Sequence, residues 1–238
     1  MANNLKRLTL GIAILSALLL LIAGPGTRLG LWAYGTGFLL MRVAFFAGLA
    51  AAALGLLFLI IPKTRAAGVI PLAIALLLGV ATAYVPWNGV RTARSLPFIH
   101  DITTDTTNPP AFVAILPLRA DAPNPAEYLG EEVAQQQRDG YPDLKPMTLA
   151  QPVGAAFDQA LELAKSMGWE IVAAEAAEGR IEATDTTFWF GFKDDVVIRI
   201  GEDRGGSRLD MRSKSRVGRS DVGANAERIR AFMVAMGK

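Results

Sequence analysis

Three stretches of the chain are almost continuously apolar: about Leu8 to Ala23, Gly37 to Ile61, and Ala66 to Val85. Crossing a hydrocarbon layer of ~30 Å takes about 20 helical residues, because unpaired backbone groups are prohibitively costly in lipid. All three approach or reach that length, so the pattern predicts a three-helix transmembrane anchor over residues 1–86. Gly24-Pro25-Gly26 is expected to break the first helix, while Pro62 and Pro86 close the second and third.

After Pro86 the periodicity changes. Residues 87–110, rich in Thr and Pro, predict an ordered linker or loop, and Ala111 to Leu116 a short strand. A polar helix is expected from about Pro125 to Arg138, ended by Gly140. Pro152 then opens a helix on which Val153, Phe157, Ala160, Leu161, Ala164 and Met167 recur at helical spacing up to Gly168. Four strand-like runs follow: Trp169 to Ala174, Arg180 to Phe192, Val196 to Ile200 and Arg208 to Ser215. Their separators, Glu178-Gly179, Lys193-Asp194-Asp195 and Arg204-Gly205-Gly206, read as hairpin turns. Alternation points Ile181, Ala183, Val196, Ile198, Ile200, Leu209 and Met211 inward, and Glu182, Arg199, Asp210, Arg212, Lys214 and Arg216 outward. A last helix covers about Asp221 to Met236. The pattern is membrane-anchored α+β: three transmembrane helices followed, over residues 111–238, by a two-layer α/β sandwich with an antiparallel meander.

Charge changes how this is read. A formal charge of +2 and a pI near 9 would suit nucleic acid, but no Asp or Glu occurs before Asp101. Beyond Pro86 stand 18 Lys and Arg against 22 Asp and Glu, a net −4. The basic balance therefore reports membrane topology, and no nucleic-acid partner is expected. Lys6, Arg7, Lys63 and Arg65 flank one side of the spans and Arg28 the other, which predicts a cytoplasmic N-terminus. Trp32, Tyr34, Tyr84 and Trp87 fall at the opposite interface. The expected location is a bacterial inner membrane, multi-pass, with the C-terminal domain periplasmic. A cleavable signal peptide is disfavoured by the lack of an A-x-A site and by the two later spans. Arg42 lies close enough to the outer end of its helix to snorkel, and no span carries an Asp, Glu or His for a proton relay. There is no cysteine, so disulfides and thiolate chemistry are excluded.

The blocks "IHDITTD" with "NPP", "YPDLKP", "AF", "MGWEIV", "GRIEATDTTFWFGFKDDVVIRI" and "RSKSRVGRSDVGANAERI" together resemble the bacterial and plastid family known as domain of unknown function 1499. The resemblance covers about His100 to Phe232. It implies a family without an established activity, so no catalytic role is carried over.

Candidate chemistry centres on three groups. His100, the one histidine, with Asp101 and Asp105 nearby and Asp143 in a later turn, is a weak candidate for Mg or Mn; a hydrogen-bonded loop organiser is the plainer reading. With Ser213, Ser215 or Ser220 as nucleophile, His100 and Asp101 or Asp105 could form a hydrolytic triad, although no GxSxG or SxxK motif is present. The third group is the basic run Arg204 to Arg219, which reads either as a ladder paired with Glu182 and other carboxylates or as an anion site. The anion site would use Arg212, Arg216, Ser220, Asp221 and Asn225 at the start of the last helix. Gly218 and Gly223 have P-loop spacing, but Ala224 and Asn225 replace the required Lys and Ser/Thr, and Asp221 reads more simply as a helix cap. The sequence favours a non-enzymatic binding or assembly module, with the lipid bilayer, an anionic headgroup or a membrane-protein partner as its target and no cofactor. A His100-centred hydrolase or metal-dependent enzyme is the alternative, and function carried by the helices themselves a third.

Overall fold

A computed structural model describes residues 2–66 and 68–237. The chain divides into two compact units: Met1–Thr92 with Phe188–Gly191, and Ala93–Thr187 with Phe192–Lys238.

The first unit contains α1 (Ala2–Arg28), α2 (Tyr34–Ile60), a single turn α3 (Pro62–Arg65) and most of α4 (Val69–Ser95). Three of these helices are long and apolar enough to cross a membrane. Leu15, Leu18, Leu39, Phe46, Leu57 and Leu77 stand exposed along them, as side chains facing lipid would. Where helices meet, the residues are small: a Cβ on Gly79 would lie 2.5 Å from the carbonyl oxygen of Gly48, so only glycine permits this approach.

Two helix ends differ from expectation. α1 runs through Gly24-Pro25-Gly26 to Arg28, and α4 runs through Pro86 to Ser95, so part of the predicted linker is helical. A proline forfeits one intrahelical bond, whereas breaking the helix there would free several backbone groups.

The second unit is an open antiparallel sheet with helices. It comprises β1 (Asp101–Thr103), α5 (Glu131–Gly140), β2 (Met147–Leu149), α6 (Val153–Ser166), β3 (Glu170–Glu175), β4 (Arg180–Thr186), β5 (Lys193–Asp203), β6 (Gly206–Ser215) and α7 (Ala224–Met236). The strand order is β1-β6-β5-β4-β3, with β2 also paired to β6. The α+β meander is as the alternation predicts. Ile181, Val196, Ile198, Ile200, Leu209 and Met211 form the core with Phe157, Ala160, Ile229 and Phe232 of α6 and α7. Trp169 stacks on Phe232 with ring centres 5.4 Å apart.

Several boundaries move, each for a local reason. Ala111 to Leu116 is not a strand, because three successive amides there turn onto the Glu182 carboxylate. The predicted strand Arg180 to Phe192 ends at Thr186, and Lys193-Asp194-Asp195, predicted as a turn, begins β5. Asp194 and Asp195 are buried against arginines, which lets an acidic pair sit inside a strand. β1 and β2, three residues each, are paired segments that carry no readable alternation.

Candidate functional site

The sheet face opposite α6 and α7 is not the solvated surface that alternation suggests. Residues 104–130 cover it, and Glu182, Asp210, Arg212 and Lys214 on it are buried. Asp101 is the centre of one cluster. Its carboxylate accepts from Arg212 Nε at 2.9 Å and Nη2 at 2.8 Å, and lies 2.9 Å from Lys214 Nζ. Arg212 also donates to the carbonyls of Pro110 and Ala126, and its guanidinium lies over Phe112, 4.8 Å from the ring centre. Burial pushes the Lys214 ammonium below the usual lysine range, against the opposing pull of Asp101.

Asp195 organises a second cluster, accepting from Arg119 at 2.6 Å and from Arg216 at 2.7 and 2.8 Å. Arg228 forms a third with Asp185 and Asp194, each at 2.7 Å. Charges this deep persist only when each is paired and hydrogen-bonded. The donors of Arg212, and Nη1 and Nη2 of Arg119, are committed inside the fold, while Arg119 Nε is buried without a hydrogen-bond partner.

A pocket of about 380 Å³ opens beside this network. Phe98, Ile99, Leu129 and Val133 give it an apolar side, and His100, Glu132 and Arg219 a polar one. His100 Nδ1 lies 3.3 Å from the Arg219 carbonyl oxygen. A carbonyl only accepts, so Nδ1 carries the proton and Nε2 holds a lone pair. Nε2 is buried without a hydrogen-bond partner. Burial lowers the His100 pKa, keeping the ring neutral, with the Arg219 hydrogen bond opposing. The Arg219 guanidinium lies 5.3 Å from the Phe98 ring centre and forms no ion pair among the described residues. It therefore differs from Arg212 and Arg216.

The sequence profile of a family described as Protein of unknown function (DUF1499) matches residues 101–236, more than half of the chain. The chain belongs to this family. No curated protein matches it. The DUF1499 region coincides with the sheet and its helices, while the three long apolar helices lie outside it.

Within the DUF1499 region the predicted site residues fall into separate places. Asp101 binds Arg212 and Lys214, Asp105 binds Arg199 and Arg208, and Asp143 binds Arg230. Among the described residues no three His, Asp or Glu side chains converge as metal ligands. Ser213 and Ser215 hydrogen-bond Asn225, not the His100 ring, and the ring is oriented by a backbone carbonyl rather than by Asp101 or Asp105. Among the described residues no serine hydrogen-bonds the His100 ring. Asp221 accepts from the amides of Gly223 and Asn225 at 2.9 Å each, so it occupies the start of α7 itself. Ser220 caps the turn before it through the Val222 amide.

The pocket residues Phe98, Leu129 and Glu132 were not marked in the sequence, and Arg219 only as the end of the basic run. They come from three loops and α5, and no periodicity links them. A lone arginine at the end of a basic run, next to glycine, is the one signal that could have marked Arg219.

Proposed function

We propose that the protein is a non-enzymatic binding module, anchored in a bacterial inner membrane by its three helices, whose DUF1499 domain faces the periplasm and holds an anionic headgroup. The observation that carries this reading is the Arg219 guanidinium, a cation with no ion pair among the described residues that lines a half-apolar pocket. Arg is suited to phosphate through its planar fork of donors, and Phe98, Ile99 and Leu129 offer apolar surface for the part of a lipid next to its headgroup. The pocket also follows the last apolar helix closely in sequence, Phe98 coming three residues after Ser95, where α4 ends.

Purified full-length protein should retain phosphatidylglycerol in preference to phosphatidylcholine in native mass spectrometry, and Arg219→Gln should weaken that retention about tenfold. This is the effect of removing a charged hydrogen bond worth about 1.5 kcal/mol. Equal retention by both proteins would contradict the site.

The orientation rests on the Lys and Arg bias and the one-sided aromatic residues. Alkaline phosphatase fused to the C-terminus should be active in cells and a green fluorescent protein fusion dark. The opposite pair of results would reverse the topology.

A further inference from the structure

The geometry points to a second lipid-contacting element, the loop Phe188-Trp189-Phe190-Gly191, which lowers an aromatic tip into the bilayer interface beside the end of α1. This inference is independent of the pocket and rests on different residues.

The sequence reads this segment as the end of the strand Arg180 to Phe192, yet the ladder of β4 and β5 stops on either side of it. The loop is closed at its base, where the Thr187 amide donates to the Phe192 carbonyl at 2.8 Å and the Phe192 amide to the Thr187 hydroxyl at 2.9 Å. Closure of this kind fixes the four residues between, so their side chains are presented and not merely loose. Those four residues belong to the same compact unit as the apolar helices.

Their contacts within that unit are specific. The Trp189 ring rests on Gly24 of α1, where an added Cβ would meet it at 2.3 Å. Phe190 packs on Phe38 of α2, with ring centres 5.1 Å apart. The Arg28 guanidinium donates to the Phe188 carbonyl and lies 5.9 Å from the Phe188 ring centre. The Phe188 ring itself is 89 % exposed.

A phenyl ring so placed has no reason to face water when its neighbours belong to helices of membrane-spanning length. Arg28 ends α1, and the turn after it exposes Leu29 and Leu31 as well. Arginine and aromatic side chains together mark the level at which a helix leaves hydrocarbon, because the ring sits among the acyl ends while the cation reaches the phosphates. The occupant of this surface is therefore lipid rather than a protein partner.

The chain has no cysteine, so single labels can be placed cleanly. Phe188→Cys, Leu18→Cys within α1 and Arg204→Cys at the β5–β6 turn would each be spin-labelled in the full-length protein, reconstituted in phosphatidylcholine–phosphatidylglycerol vesicles. Power saturation then compares relaxation by oxygen, which concentrates in lipid, with relaxation by a water-soluble nickel chelate. All three side chains are exposed, so the substitutions leave the packing intact. The label at 188 should be relaxed preferentially by oxygen, as at 18, and protected from nickel relative to 204. A label at 188 as open to nickel as that at 204 would overturn the inference.

Discussion

Asp101→Ala is expected to destabilise the sheet domain by about 3 to 5 kcal/mol, because it leaves two buried cations without their carboxylate. Arg212 and Lys214 are both held in the closed space beneath residues 104–130, where neither can turn out to water without opening that cover. For a chain of this size the loss corresponds to a fall in melting temperature of roughly 10 °C. It would be read from thermal unfolding of the full-length protein in detergent, followed through the circular dichroism of the Trp169–Phe232 stack. Replacing the whole cluster, as Asp101→Ala with Arg212→Met and Lys214→Met, should recover much of the stability, because apolar side chains of similar volume remove the desolvation penalty along with the pairing. A single variant that melts within 2 °C or so of the wild type would show that water reaches the cluster.

Glu182→Ala should have the other large effect, and a local one. The Glu182 carboxylate is fully buried and accepts from the amides of Val113, Ala114 and Ile115 at 3.0 to 3.1 Å while pairing with Arg180. Its removal strands three backbone donors, each costing about 1 kcal/mol or more when left unpaired in the interior. The expected loss is about 3 kcal/mol or more, and it falls first on residues 104–130. Hydrogen exchange followed by mass spectrometry should show that segment exchanging faster while peptides from β5 and β6 stay protected. Glu182→Gln keeps one accepting oxygen and should lie between the two. Uniform loss of protection across the sheet would mean instead that the cover and the sheet unfold as one body.

These two carboxylates also show where the sequence was readable. Val196 to Ile200 and Leu209 to Met211 could be placed in strands, with the right face inward, because alternation records the contrast between core and solvent. The three long apolar helices were legible for a related reason, since lipid tolerates little else over that length. Alternation, however, gives polarity and not exposure. Glu182, Arg212 and Lys214 read as outward and solvated, whereas a cover supplied by residues some 70 to 100 positions away in the chain buries them. Such a cover has no period of its own, because its amides and carbonyls bind side chains instead of a neighbouring strand. For the same reason Asp194-Asp195 looked like a turn: the arginines that make the pair acceptable in a strand, Arg119, Arg216 and Arg228, are distant in sequence.

The candidate site was half legible. His100 and the basic run were visible as chemistry, but which arginine remained uncommitted depended on pairing that only the fold decides. Arg212 and Arg216 were the natural choices from their position in the run, and both meet buried aspartates. Arg219, three residues beyond Arg216, lies past the end of β6, where no carboxylate pairs with it among the described residues, although Glu132 lines the same pocket.

The binding site is tested most directly in a bilayer. Full-length protein would be reconstituted with phosphatidylglycerol carrying a photoreactive diazirine on its headgroup, irradiated, and mapped by peptide mass spectrometry. Adducts should concentrate on residues 98–101 and 129–136, and should fall about tenfold on those peptides in Arg219→Gln while adducts elsewhere are unchanged. Adducts confined to the membrane helices, or an Arg219→Gln pattern identical to that of the wild type, would contradict a headgroup site at His100 and Arg219.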